Sequence, residues 1–499
     1  MSAANWPRAW CSTARPAALC SATPPPEPHQ SPKENGMFDT SWDSLRTYGI
    51  PDWFRDAKLG IFIHWGVYSV PAWDNEWYPR FMYRDEMSRK GRNYYRHHCD
   101  TWGHPGTFGY KDFIPMFKAE HWDPEQWVDL FQAAGARYVV PVGEHHDGFP
   151  MYKSRYTKWN AADMGPQRDV VAELERIVRR RNLKFGISSH RAFNWRYYTY
   201  RDDFDTSDPA NAGLYSPAHP EDEPTSKEWI EDWYRRTQEM IDRFKPDVLW
   251  FDFGWHADEF ADWRPQVLAY YYNQSRQWGR DVVLQYKDKF PPGVACYDIE
   301  RGKLDDIREE YWQTDTAVSY KSWSHIENDE FKTATTLVHD LVDIVSKNGN
   351  LLLNVGPRAD GVIPDEAAGL LRDLGTWLNV NGEAIYGTRH WQIFGEGPTQ
   401  VTTGHLTERE NAGMTTEDIR FTRTDSALYA ILLGWPGNTA RVKSVTPERL
   451  DPARVADISL LGGPGGLDWS MTEEGLRVQL PDSPIGEHAH SLKLSLKPN

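Results

Sequence analysis

Long hydrophobic runs are what this 499-residue sequence most lacks. No stretch approaches the roughly 18 to 20 apolar residues that a membrane-spanning helix needs, so no membrane partner is expected. Excess positive charge is missing too. The 56 basic and 72 acidic residues leave a formal net charge of −16, which argues against nucleic acid or anionic membrane as the main partner and favours solubility. Cysteine is scarce: of four, Cys11 and Cys20 lie in the first 36 residues, and Cys99 and Cys296 stand far apart. Neither a disulfide framework nor a zinc motif is indicated, which fits a reducing compartment. No G-x-G-x-x-G fingerprint opens a helix and no G-x-x-x-x-G-K-[ST] phosphate loop occurs, so a nucleotide-binding open sheet loses ground.

Aromatic residues are plentiful. The 24 Trp and 24 Tyr exceed what a core alone usually requires, and aromatic faces stack well on sugar rings. Residues 1–36 are rich in Pro, Ala and Ser without the apolar h-region of a signal peptide. They read as a disordered or mis-assigned N-terminal segment, and a cytoplasmic location is expected. Over 37–389 short apolar runs alternate with amphipathic stretches: "LGIFIHWG" (59–66), "RYVVPVGEHH" (137–146), "KFGISSH" (184–190), "DVLWFDF" (247–253), "DVVLQYK" (281–287) and "NLLLNVG" (350–356). Runs that are nearly continuously apolar predict strands covered on both faces, hence a parallel sheet. With the nucleotide folds set aside, a (β/α)8-like, TIM-type barrel is expected. "DEAAGLLRDLGTWLNVNGEAIYG" reads as a last long helix ending at Gly387, and from 390 to 499 short strand-like pieces separated by Gly, Pro and Asp predict a C-terminal antiparallel β-sandwich domain.

Polar residues interrupt the apolar strands at their C-terminal ends. His64 closes the first, His145 and His146 the second, His190 the third, Asp252 the fourth and Lys287 the fifth. In a parallel barrel those ends open onto one face, where active sites are built. A metal site is one chemistry such a ring allows. Against it, His145 and His146 are adjacent and would point to opposite sides of an extended strand. Glycoside hydrolysis is the other, and it needs two carboxylates in an aromatic-lined pocket. Asp252 is the first. For the second, "CYDIERG" offers Asp298 and Glu300 on one face of an extended segment, with Glu309, Glu310 and Asp315 as weaker rivals.

Six blocks, "WFRDAKLGIFIHWGVYSVPAWDNEWYPRFMY", "EHHDGF", "VLWFDFGW", "YDIERG", "YWQTDTAVSY" and "SKNGNLLLNVGPRADGVIP", occur in that order. Together they resemble family 29 of the glycoside hydrolases, the retaining α-L-fucosidases. The resemblance implies a (β/α)8-like barrel with a C-terminal β-sandwich and hydrolysis of terminal α-L-fucosyl residues through a covalent intermediate, without cofactor or metal. By the same resemblance Asp252, within Trp250-x-Asp252-x-x-Trp255, is the nucleophile and Glu300 of the "ERG" segment the acid/base. His64, Glu76, Trp77, His145 and His146 would bind sugar hydroxyls, Trp250 would line the pocket and Trp323 would pack near the fucose methyl. Two further substrate-binding positions, on the sugar or leaving-group side, depart from the family's pattern: the region of Ser189 and His190 stands where a tyrosine is often found, and Lys287 where an arginine is. The implied partner is an α-L-fucoside, as oligosaccharide or glycoconjugate, and a homo-oligomer is compatible with the sequence. Two rival functions are a metal-dependent barrel hydrolase and a carbohydrate-binding relative without catalysis; read without the resemblance, Asp252 could cap the next helix, Glu300 and Arg301 could be a surface ion pair, and Glu76 lies in a loop where exposure is the default.

Overall fold

The computed structural model describes residues 36–498 apart from 86, 87, 89, 90 and 288. The expectation for residues 1–36 therefore lies, except for Gly36, outside the described residues. Eight parallel strands close into a barrel in sequence order: β1 (Leu59–Ile63), β2 (Tyr138–Glu144), β3 (Lys184–Ser189), β4 (Val248–Phe251), β5 (Val283–Tyr286), β6 (Cys296–Glu300), β7 (Trp312–Ala317) and β8 (Gly349–Val355). Pairing of β1 with β8 from Leu59↔Leu351 to Ile63↔Val355 completes the ring. The outer helices form where apolar positions recur at helical spacing and a polar side chain satisfies the first free N–H groups. In Val170–Arg180, Val170, Val171, Leu174, Ile177 and Val178 are buried against the barrel while Asp169 caps Ala172. Ser226 starts Lys227–Phe244 and Thr333 starts Ala334–Ser346 in the same way.

Two barrel strands, β6 and β7, escape the search for apolar runs. Their inward positions carry Asp298, Gln313 and Asp315, all buried. Asp298 and Gln313 survive inside because they are hydrogen-bonded, which removes most of the cost of burying them. Gln313 donates through Nε2 to Asp298 (2.8 Å) and accepts from Tyr138 (2.7 Å) and Gln285 (2.6 Å), while the Trp250 indole donates to the other Asp298 oxygen at 2.9 Å. Below them Tyr311 bonds Asn350 and Lys58. Burial pushes the Lys58 ammonium down to about 7. The helix expected to end at Gly387 stops instead at Asn381 and passes through a single 3-10 turn at Gly382–Ala384.

Beyond the barrel, β9 (Arg389–Glu396), β10 (Ile419–Arg423), β11 (Ala427–Leu432), β12 (Thr439–Val442), β13 (Val455–Leu460), β14 (Trp469–Thr472), β15 (Gly475–Gln479) and β16 (His490–Leu496) form two antiparallel sheets, ordered β13-β16-β11-β10-β9 and β12-β15-β14. Their inner faces share one apolar core that includes Phe421, Leu428, Leu432, Val442, Ile458, Val478 and Leu492. Charge ties this sandwich to the barrel. Arg420 of β10 reaches Asp343 of the helix Ala334–Ser346 at 2.6 Å, and Lys347 reaches the same carboxylate at 2.8 Å, all three fully or nearly fully buried. Burial alone would raise the Asp343 carboxyl, but Lys347 and Arg420 hold it below the ordinary range.

Asp343→Ala should therefore strand two buried cations and cost about 3 to 5 kcal/mol, read by chemical denaturation. The triple variant Asp343→Leu with Arg420→Met and Lys347→Met, which removes the charges as a set, should recover much of that loss.

Candidate functional site

The first residues beyond the strand ends converge. His64 follows β1, His145 and His146 follow β2, His190 follows β3, Asp252 follows β4, Lys287 follows β5, and Glu300 is the last residue of β6. Together with Trp250, with Glu76 and Trp77 from the loop after β1, and with Trp323 from the loop after β7, they line one cavity at the C-terminal mouth of the barrel. All eleven residues expected to act on or bind the sugar are in that wall, whereas the rival acids Asp298, Glu309 and Glu310 are not. Phe253 and Asp315 complete it. Phe253 was missed because nothing marks it among neighbouring aromatics; it stacks with Trp77 at 5.9 Å between ring centroids.

Asp252 caps no helix. Its Oδ1 accepts from the Lys287 ammonium at 2.8 Å, and its Oδ2 faces His190 Nδ1 and His146 Nε2, each at 3.0 Å. Burial alone would raise this carboxyl, yet Lys287 and the two imidazoles outweigh it and hold the group well below the usual carboxylate range. Lys287 also donates to Glu300 Oε2 at 2.7 Å. Burial would lower the Lys287 ammonium, but Asp252 and Glu300 drive it well above its usual value. One nitrogen bonded to both groups means that the two carboxylate oxygens are no further apart than the sum of 2.8 and 2.7 Å.

Three of the pocket imidazoles, His64, His145 and His190, are held neutral. Burial and neighbouring rings push His64 and His145 well below the usual histidine value, and burial takes His190 down to about 4. His64 Nδ1 donates to Asn354 Oδ1 at 2.7 Å, which leaves Nε2 as an acceptor. In His190, Nδ1 serves Asp252 while Nε2 accepts from the Ser188 hydroxyl at 2.9 Å. A neutral imidazole that donates on one side and accepts on the other suits hydroxyl ligands.

Three sequence expectations change. His145 and His146 do share a site: β2 ends at Glu144 and the chain turns, with Gly148 N–H bonded to the His145 carbonyl at 3.1 Å, so strand alternation no longer separates them. Glu76, expected in an exposed loop, is 5% exposed because its carboxylate accepts from the Ser322 hydroxyl and the Trp323 N–H, both at 3.0 Å. Asp298 and Glu300 part company. Asp298 is fully buried with both oxygens taken by Trp250 and Gln313, and burial raises its carboxyl to about 6, whereas the Glu300 side chain is 22% exposed in the cavity wall. Arg301 is no surface partner for Glu300; it is buried and bonded to Glu408 at 2.7 Å.

Among the described residues two sets, His64–His145–His190 and His146–His190–Asp252, have possible ligand atoms within 4.8 Å of one another. In the second set the N–H groups already point at Asp252 and the Lys287 cation lies against the same carboxylate. That arrangement is made for hydrogen bonding to a polar neutral molecule and opposes a second cation at Asp252.

Comparisons with known proteins agree on one family. A family model described as alpha-L-fucosidase matches residues 27–383, and one described as alpha-L-fucosidase C-terminal domain matches 412–497. The tissue alpha-L-fucosidase of Rattus norvegicus is 32% identical over 473 residues, covering 92% of each chain, and the plasma alpha-L-fucosidase of Homo sapiens is 33% identical over 464 residues, covering 90% of this chain and 89% of that one. The crystal structure of Thermotoga maritima alpha-fucosidase is 30% identical with a TM-score of 0.73, covering 91% of this chain and 99% of that one. Its complex with a mechanism-based inhibitor gives a TM-score of 0.72 at 30% identity, covering 92% and 100%.

The Lys287 pairing should be visible in stability. A carboxyl held below its unfolded-state value adds stability that is present above roughly pH 4 and fades as pH falls through the lowered value. Lys287→Met leaves Asp252 buried without its cation, at a cost of about 3 kcal/mol near neutral pH. Losing that cation raises the Asp252 carboxyl, so less of the variant's stability is lost when acid protonates the group. Thermal unfolding at pH 7 and pH 4 should show the gap between the two proteins narrowing in acid.

Proposed function

The chain belongs to the α-L-fucosidase family of glycoside hydrolases, and from that premise we propose that it hydrolyses terminal α-L-fucosides with retention, using Asp252 as nucleophile and Glu300 as acid/base. The observation that carries this reading is the shared Lys287 ammonium. It holds one oxygen of each carboxylate no further apart than the sum of 2.8 and 2.7 Å, which suits the separation of about 5 to 5.5 Å of retaining glycosidases better than the wider one of inverting enzymes.

In the first step an Asp252 oxygen bonds to the anomeric carbon while protonated Glu300 gives its proton to the departing oxygen. The bond to the leaving group breaks and a fucosyl ester of Asp252 forms. In the second step Glu300, now a carboxylate, takes a proton from water, whose oxygen displaces Asp252. Negative charge thus moves from Asp252 to Glu300 and back, and Lys287 touches both groups, so it offsets the charge wherever it resides. Asp252 stays ionised in the resting enzyme because the same ammonium and two imidazoles hold its carboxyl low. His64, His145, His146 and Glu76 border the space where sugar hydroxyls would lie, and Trp77, Trp250 and Trp323 supply apolar faces for the ring and its methyl group.

Release of 4-nitrophenol from its α-L-fucoside, with the first-formed sugar anomer read by NMR, tests this mechanism. Asp252→Gly should lower kcat by about 10⁴-fold or more. Glu300→Ala should spare activated aryl fucosides yet cost about 10² to 10⁴ in kcat/KM on poorly activated ones. Dialysis against a chelator should leave the wild-type rate unchanged. A β-fucose first product, full activity without Asp252, or chelator-abolished turnover would each overturn the mechanism.

A further inference from the structure

Strand β6 carries Glu300 at its end, but its partner β5 covers only the beginning, through Gln285↔Cys296 and Tyr286↔Tyr297. Past Tyr286 that side of β6 would be an open edge. It is filled from the other domain. The connection between β9 and β10 of the sandwich spans residues 397–418, and its middle, residues 403–408, lies along the end of β6. The Glu300 N–H donates to His405 Nδ1 at 3.0 Å and the Glu300 carbonyl accepts from the Leu406 N–H at 2.7 Å. Both backbone polar groups of one residue are thus taken by two successive residues of the connection.

The segment is fixed on either side of that contact. Gly404 N–H bonds the Lys303 carbonyl at 3.0 Å, and the approach is so close that a Cβ on Gly302 would lie 1.9 Å from the Gly404 carbonyl oxygen. Glu408 N–H bonds the Arg301 carbonyl at 3.0 Å, while its carboxylate takes Arg301, Lys332 and the Thr316 hydroxyl. Arg301 sits at φ 42°, a left-handed conformation that a non-glycine residue keeps only when its surroundings over-determine it. Because Glu300 N–H is a donor, His405 Nδ1 is its acceptor, and the ring's Nε2–H is left to donate to the Tyr297 hydroxyl at 2.9 Å. Tyr297 precedes Glu300 by three residues on the same strand, so the imidazole braces β6 at two points.

We propose that residues 403–408 act as a strap from the sandwich that fixes the Glu300 peptide, with His405 as a positioning residue for proton donation to the leaving group. The inference rests on Glu300 being the acid/base. His405 is exposed and lines no part of the sugar cavity. Its loss should therefore act on the aim of the Glu300 side chain and leave nucleophilic attack by Asp252 and folding nearly intact. Geometry of an acid matters most when the leaving group needs its proton.

The experiment measures kcat/KM, which reports the first chemical step, on aryl α-L-fucosides from 2,4-dinitrophenyl to phenyl. His405→Ala should stay within about twofold of wild type on the first and fall about tenfold or more on the last. His405→Asn, whose side-chain carbonyl can accept from Glu300 N–H, should recover most of the loss, and the thermal midpoints of both variants should match wild type. A uniform loss across leaving groups, or no loss on the phenyl fucoside, overturns the strap. Glu300→Gln, run in parallel, separates the two claims. If it is steep across the series while His405→Ala is flat, only the strap fails. If it is as flat as wild type, the acid/base assignment fails and the strap falls with it.

Discussion

One ammonium group governs the arrangement of this site. Two carboxylates in a mostly buried cavity repel each other and lose their hydration, and each penalty alone would protonate one of them. Lys287 bonds to Asp252 and Glu300 at once, so its charge keeps Asp252 ionised and already lies against Glu300 when the negative charge passes to it. Its position follows from the strand it leaves: β5 ends at Tyr286, so the next residue emerges at the mouth of the barrel, between the ends of β4 and β6. The surrounding imidazoles complement this choice. Burial keeps His64, His145 and His190 neutral; His190 adds an N–H bond to Asp252 beside that of Lys287, and His64 keeps Nε2 as an acceptor for a hydroxyl group.

The same constraint reaches down into the barrel. Asp298 lies two residues before Glu300 on the same strand and so on the same face. It is anchored by Trp250, which lies two residues before Asp252 on β4. The indole N–H therefore links the strand that carries one carboxylate to the strand that carries the other, one layer beneath them. Gln313 continues that layer to β2 and β5. A hydrogen-bonded floor of this kind resists shear between strands better than interdigitated aliphatic side chains, since each bond has a preferred length and direction.

That floor also explains what the sequence could and could not convey. Strands β1 to β5 and β8 announce themselves as apolar runs, and the polar residue just past each end of the first five marks the cavity. β6 and β7 do not, because the floor puts Asp298, Gln313 and Asp315 where Val or Ile would ordinarily signal a buried strand. Alternation offered Asp298 and Glu300 together on one face, and only the short "ERG" block chose between them. The helix Trp263–Trp278 went unread because its apolar positions include several Tyr and no clean stripe. Glu76 looked exposed because its partners, Ser322 and Trp323, are 246 and 247 residues away. Local pattern finds residues whose role is fixed by their own strand; it is blind to those fixed by a distant loop.

The sandwich supplies the clearest case of that blindness. Read as a unit, it is an independent β domain with its own core, and nothing in its sequence points at the barrel mouth. Its β9–β10 connection nevertheless closes the one stretch of barrel edge that β5 leaves unpaired, 105 residues along the chain from Glu300. Unpaired edge N–H and C=O groups are satisfied by water, and water fixes neither their direction nor the side chain between them. Pairing with His405 and Leu406 removes that freedom at the residue on which proton transfer is proposed to depend. The Asp343–Arg420 contact then has more than a local meaning, because β10, which carries Arg420, is the strand into which that connection runs. Fixing β10 to the barrel fixes one end of the loop that fixes Glu300, so the joint between the two domains becomes part of the geometry of the site.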